Sequence, residues 1–455
     1  MFARGGPPQP RAQAPARGSA STAPPPLPPP PAKQQQPSWS ALAAATAAAA
    51  VLLAAPLAPQ PANALLSSPN ARIPRTAEAA LRRSIPAFNP DVLAVQKRVE
   101  NVAFLLRIPQ RKPWGSMAAD VDAALALVQG SSGGAGAVAS GAGAAAAATT
   151  NSPGPLNRAL LDGVPSAEIA RGEAALARLE NKLGGLKQAV AAQQADWAGA
   201  RCADALNAAA ELELLEAPGL AYQLPPQYAK GRPVLAGRAT VRLEVERADG
   251  ALAFADDDTG GGLSTRGIVE VTLDGYSAPL TAGQLAANVR SGLYDGTRVA
   301  ASFASVLVGP SPEISPRDAE RAPVPLEMLP QGEFDPVYRL PLDVAGGELP
   351  VLPLSIEGAV GLARLPDGDP AFVSGSQVFF GKFDKSQAGL SGLAFDEGQL
   401  PVAGYVTKGY DSVLRRLQTG DVIVKAKLVS GEERLRLPTE GGEVGTGGGA
   451  GPVAG

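Results

Sequence analysis

The feature that most constrains this chain is a change of hydrophobic period. Between Asn89 and about Glu216, apolar residues recur at spacings of three and four, the repeat of a helix buried along one face. Beyond Pro225-Pro226 they alternate with polar residues, the repeat of a half-buried strand. The two stretches therefore call for different architectures, and a length of 455 residues allows two or three domains.

In the first stretch, Asn89-Pro90-Asp91 supplies an N-cap, a proline at the first helical position and an acid in the first turn. Val92, Val95, Val99, Val102 and Leu106 follow on one face, and Pro109 ends the helix. Ser116 is expected to cap a second helix, with Met117, Val121, Ala124 and Val128 as its buried stripe. From Ser166 a longer seam runs through Ile169, Leu176, Leu179, Leu183, Leu186, Val190 and Trp197, interrupted by Gly184-Gly185. One helix cannot hide such a stripe, so it packs on the earlier helices as a small bundle; the alternative is a partner protein. Cys202 reads as a small buried hydrophobe. The tract 130–152 is Gly, Ala, Ser and Thr; no Gly-Lys-Ser/Thr follows it, so it is a linker rather than a phosphate cradle.

In the second stretch, Val241, Leu243 and Val245 alternate with Arg242, Glu244 and Glu246, and Val269, Val271 and Leu273 alternate with Glu270 and Thr272. Between these strands, Asp256-Asp257-Asp258 runs into Thr259 and three glycines. Adjacent carboxylates could draw a hard cation, but the alternating ligands and distal Glu of a calcium loop are missing, so a solvated turn is expected.

Composition narrows the chemistry. The chain has no histidine, which removes Ser-His and Cys-His nucleophile pairs, His-ligated metals and the usual neutral-pH general base. A single cysteine removes an internal disulfide, a CxxC pair and a cysteine zinc site. No cofactor is implied. Net charge is −3, and the four basic residues Arg4, Arg11, Arg17 and Lys33 all fall in residues 1–64, which hold no acid; the remainder carries −7. Such a chain offers no broad basic face, and nucleic acid is not an expected partner.

Residues 1–64 read as an address. Met1 to Ser40 is rich in Pro, Ala, Ser and Gln with scattered Arg, the composition of a transit peptide; its run Pro24 to Pro31 could alternatively serve as a polyproline ligand. Ala41 to Ala58 is apolar and leads into the A-x-A signal Ala62-Asn63-Ala64. Cleavage after Ala64 is expected rather than a retained span, because the segment is mostly alanine and contains Pro56. This resembles the two-part leader of proteins sent through the chloroplast envelope into the thylakoid lumen by a Sec-like route.

Four landmarks then occur in order. The strand ending at Leu273 leads through Pro279-Leu280-Thr281, expected to cap a helix, to Tyr294-Asp295-Gly296. Gly375-Ser376-Gln377-Val378-Phe379-Phe380, Gly404-Tyr405-Val406 and Gly420-Asp421-Val422-Ile423 follow. Together they resemble the cyclophilins. With the leader and the helical stretch, they look like the multidomain thylakoid-lumen cyclophilins of plants and green algae; Pro325 to Pro330 and Gly347 to Leu354 resemble the cyclophilin-thirty-seven branch. The resemblance implies a mainly β, closed antiparallel barrel with flanking helices over residues 236–438. An all-α bundle over 65–225 precedes it and a disordered Gly-rich tail, 439–455, follows. It also implies peptidyl-prolyl isomerase activity.

The catalytic positions depart from that pattern. Family members aim one Arg at the prolyl nitrogen, favouring the twisted amide over the planar one without a covalent step. By position from the Tyr294-Asp295-Gly296 turn, that Arg is Ala301, preceded by Val299 and Ala300. The pocket Phe and Gln positions hold Val306 and Gly309, the S-M-A-N strand reads Gly361-Leu362-Ala363-Arg364, and the W-L-D-G-K-H segment reads Phe395 to Leu400 without a Trp. Gln377 and Phe379 remain as expected substrate-binding residues. Arg298, an odd number of residues from Ala301, could replace the lost cation only through a bulge. Whether the chain is an enzyme therefore stays open. The expectation is a catalytically degenerate cyclophilin that binds lumenal proteins or Pro-containing segments; the alternatives are an active isomerase and an adaptor acting through its helices.

Overall fold

The structure, a computed structural model, describes residues 73–109, 111–130, 156–255, 262–310, 321–365, 368–384 and 393–438. The expected leader, nearly all of the linker, most of the acidic turn and the 439–455 tail lie outside them.

The longer helices among the described residues of the first half are α1 (Ala77–Ser84), α2 (Pro90–Leu105), α3 (Trp114–Val128), α4 (Ile169–Ala191) and α5 (Ala195–Glu216). Asn89 caps α2 as its sequence requires, Oδ1 accepting from the Asp91 and Val92 amides at 3.0 and 3.3 Å. Helix α3 starts three residues earlier than expected. Pro113 precedes it without a side-chain cap, and Ser116 lies inside the first turn. The Gly184-Gly185 pair does not interrupt α4, because buried Leu183 and Leu186 hold the helix on both sides of it. The chain turns instead at Gln193, whose φ of 55° lies in the left-handed region. Leu176, Leu179, Leu183, Leu186 and Val190 pack with the α2 and α3 valines in one core, so the seam is covered within the chain. Trp197 stays at the surface with the Arg201 guanidinium 5.9 Å from its ring centre. Cys202 is buried, its thiol donating to the Val99 carbonyl at 3.3 Å, and burial pushes that thiol up to about 12.

Helix α1 leaves this bundle. Ala77, Ala80 and Leu81 pack on Leu352, Ile356, Val402 and Tyr405 of the β half. At its end, Ser84 donates to buried Asp274, which also pairs with Arg238 at 3.1 Å. Tyr276 donates to the Ala217 carbonyl at 2.7 Å, and Tyr222 to the Tyr276 carbonyl at 2.9 Å. A polar seam thus ties the end of α5 to the first strands.

The main strands are β1 (Arg238–Glu246), β2 (Arg266–Asp274), β3 (Ala300–Ala301), β4 (Ser305–Val308), β5 (Val324–Pro325), β6 (Ala359–Arg364), β7 (Phe372–Gly381), β8 (Val402–Lys408) and β9 (Val422–Ser430). Their order is β9-β1-β2-β8-β6-β7-β4-β3, all antiparallel, with β5 added to β7. The sheet curls, and hydrogen bonds from Gly296 to Ile423, Ile423 to Thr297 and Val299 to Asp421, 2.7–2.9 Å long, join its two ends. Alternation sends Val241, Leu243, Val271, Val308, Val360 and Phe380 into one core. Gly361 is required by close approach: a Cβ there would lie 1.9 Å from the Pro401 carbonyl oxygen.

Helix α6 (Pro279–Arg290) is almost wholly buried beneath this sheet. The Pro279-Leu280-Thr281 sequence does not cap it unaided. The cap is the Glu327 carboxylate, which accepts from the Leu280 and Thr281 amides at 3.0 and 2.9 Å and from the Thr281 hydroxyl at 3.1 Å. A negative charge at a helix N-terminus satisfies orphan amides and the helix dipole together.

Candidate functional site

Because Val306, Val308, Val378 and Phe380 point inward, Leu307 and Phe379 are turned to the outer face of the wall. Register makes them one row: Ala300 opposes Leu307, Leu307 opposes Phe379, and Phe379 opposes Gly361. Around this row, the tip of the β3–β4 hairpin, the end of β6, the segment after β7 and residues 394–400 enclose a groove of about 610 Å³. Its floor and walls are largely apolar, from Leu307, Phe379, Leu354, Ala363 and Leu400.

Two phenylalanines stand at its rim with unusual exposure, Phe303 at 80% and Phe395 at 84%. Phe303 projects from a tight hairpin in which the Ser302 amide donates to the Ser305 carbonyl at 2.8 Å. Phe395 is carried by a loop pinned through buried Glu397, whose carboxylate accepts from the Leu354 and Ser355 amides at 2.8 and 2.9 Å and from the Ser355 hydroxyl. Exposed rings beside an apolar trench are the anchors that peptide-binding surfaces use.

The expected site residues separate. Phe379 lines the groove; Gln377, two residues earlier on the same strand, is half-buried and does not, its amide donating to Ser374 Oγ at 2.9 Å. Ala301 opposes Val306 and leans on the core, its backbone paired in both directions with the Thr419 hydroxyl at 3.0 and 3.1 Å. Arg298 is bridged to Val422, its side chain is exposed, and it does not line the groove. Position by position, this strand offers the groove no cation.

Two cations enter from elsewhere, and sequence reasoning did not single out their role. Arg364 lies 3.9 Å from Asp396. Lys382, just after β7, donates from Nζ to the Ser302 carbonyl at 3.2 Å. Phe303 also escaped sequence reading; its only signal was an aromatic residue in a Ser-flanked turn. Among the described residues, no group of His, Cys, Asp or Glu could hold a metal ion. No described helix is long and apolar enough to cross a membrane.

No family model matches the chain. Relatives extend over most of it. The chloroplastic peptidyl-prolyl cis-trans isomerase CYP37 of Arabidopsis thaliana is 39% identical over 387 residues, covering 84% of this chain and 76% of the relative. The putative thylakoid lumen peptidyl-prolyl cis-trans isomerase of Synechocystis is 31% identical over 366 residues, 78% of this chain and 83% of the relative. The chloroplastic isomerase CYP38 of Arabidopsis thaliana is 27% identical over 396 residues, 85% and 80% of the two chains. With the barrel order and the outer-face groove, these similarities show that the chain belongs to the cyclophilin-type peptidyl-prolyl isomerase family, in keeping with its CYP37 branch, and is a protein of the chloroplast thylakoid lumen.

Proposed function

We propose that this cyclophilin is catalytically degenerate and acts by holding Pro-containing segments of lumenal proteins, assisting their folding or assembly without turning them over. One observation carries the reading. The groove has an apolar floor on Phe379 and Leu307 and two exposed rings at its rim, while the row that holds Leu307 and Phe379 ends in Ala300 rather than in a guanidinium.

Amide rotation must cross a barrier of about 18–20 kcal/mol, and only interactions stronger with the twisted amide than with the planar one lower it. Losing one preorganised donor to a transition state typically costs about 2.7–4 kcal/mol. The apolar contacts are indifferent to the twist. They bind cis and trans proline alike and leave the exchange rate alone.

The test uses the mature chain with Pro-containing peptides. Exchange measured by NMR should match the uncatalysed rate at protein concentrations that saturate the peptide, and Phe379→Ala should weaken binding. Exchange accelerated a hundredfold or more would overturn the reading in favour of an active isomerase, the activity in the relatives' names. The adaptor reading gains no support from the α4 seam, which is buried in the bundle's own core.

A further inference from the structure

The charges of the groove are unequally satisfied. Arg364 has Asp396 at 3.9 Å, and both side chains are more than half exposed. Lys382 is half-buried and has no carboxylate within ion-pair distance among the described residues; its hydrogen bond goes to a neutral carbonyl, that of Ser302. Burial, and after it the positive charge of Arg415, hold its amine below the usual lysine range. Arg415 is itself occupied by Asp411 at 2.9 Å. The remaining groove carboxylate, Asp384, bears on Tyr410. A half-buried ammonium with unused donors and no carboxylate partner is an incomplete ion pair.

Lys382 lines the groove one residue past the end of β7, tied to the tip of the β3–β4 hairpin. Lys382 follows Phe379 by three residues, about 10 Å at strand rise. Arg364 stands three residues from Gly361, the partner of Phe379, on the antiparallel neighbour, and so lies toward the opposite end. An extended ligand seated on Phe379 therefore meets a neutralised pair in one direction and an unmatched cation in the other.

We propose that Lys382 is a carboxylate-binding residue of the groove: its ligand is an extended segment with a proline or other apolar residue on Phe379 and an Asp or Glu two or three positions away, paired with Lys382. This rests on the reading of the groove as a peptide-binding site and adds the charge rule that selects among peptides. The entering carboxylate completes a charge-assisted hydrogen bond in partly dry surroundings, where such a bond is stronger than at an open surface.

The experiment measures fluorescence anisotropy of labelled extended peptides with the mature full-length chain. The peptides share a central Phe-Pro and carry Glu or Gln two and three positions to either side. The Glu peptide of one polarity should bind about tenfold tighter than its Gln counterpart, a difference of about 1.4 kcal/mol. That preference should vanish in Lys382→Met, reverse toward Lys-bearing peptides in Lys382→Glu, survive in Arg298→Met, and shrink in 1 M salt. Thermal unfolding of each variant separates loss of fold from loss of selectivity. Equal binding of Glu and Gln peptides, still weakened by Phe379→Ala, would overturn the role of Lys382 and leave the groove reading intact. A preference that persists in Lys382→Met would also overturn it. Failure of every peptide to bind would overturn the groove reading and this inference together.

Discussion

The barrel and the end of α5 bury carboxylates in opposite ways. In the barrel every such group named here has donors. Glu327 takes the α6 amides and the Thr281 hydroxyl. Glu397 takes two loop amides, and Asp421 pairs with buried Arg247 at 3.4 Å while accepting from the Gln418 and Ala248 amides. At the end of α5, Glu213 and Glu216 are as deeply buried, yet among the described residues neither carboxylate has a hydrogen-bond partner. The difference separates two uses of a buried acid. The barrel's acids fix loops and a helix end from a distance, whereas the α5 acids fix nothing and store a desolvation penalty.

The sharpest way to break this comparison is Glu327→Ala. The variant strands buried amides at the start of α6, each worth about 1–3 kcal/mol, so a loss of about 2–5 kcal/mol is expected in the urea midpoint of unfolding. A loss below 1 kcal/mol would mean that α6 is held by packing alone. Glu327 is itself pushed up to about 7 by burial, against the hydrogen bonds that favour its charge. Its anchoring is thus not free of cost.

Glu213→Gln tests the other side. Burial, then Glu216, pushes Glu213 up to about 8, and burial, then Asp162, does the same to Glu216; the ordinary value for each is 4.5. Both folded values are raised, so between about 4.5 and 8 the folded chain binds more protons than the unfolded one. Their contribution is fully present below 4.5 and is lost as pH rises through about 8. Glu213→Gln should therefore stabilise by about 1–3 kcal/mol at pH 8.5 and by little at pH 5, flattening the pH dependence of the melting temperature. Destabilisation at pH 8.5 would reveal a partner for the carboxylate and erase the contrast with the barrel.

The sequence carried one side of this comparison more clearly than the other. Periodicity located α2 to α5, β1 and β2 because each buries one face, and the Asn89 cap, the α2 valines and the alternating Val241, Leu243 and Val245 all behave as their spacing requires. The family landmarks singled out Phe379, which lines the groove, and Gln377 and Ala301, which do not. What spacing cannot carry is partnership between distant residues. The α6 cap comes from Glu327, 46 residues from Thr281, so Pro279-Leu280-Thr281 looked self-sufficient. Lys382 likewise acquires meaning only from Ser302, 80 residues away. Helix α1 is too short for its period to tell bundle from barrel, and its contacts with Leu352, Ile356 and Tyr405 and the seam with Asp274 and Arg238 settle where it packs.

The smallest expected effect joins the comparison to the groove. Glu397 is a partnered acid, pushed up by burial, and its work is to hold the loop that presents Phe395 against Leu354 and Ser355. Glu397→Gln keeps one acceptor oxygen and gives up the other, so about 1 kcal/mol of stability should be lost, much less than at Glu327. The loop loosens more than the barrel does. Peptide affinity should then fall two- to threefold, with Phe395→Ser in the same background adding little, because the ring is already poorly placed. If Glu397→Gln and Phe395→Ser weaken binding additively, the carboxylate supports the barrel alone. The groove's aromatic rim then does not depend on how the barrel satisfies its buried acids.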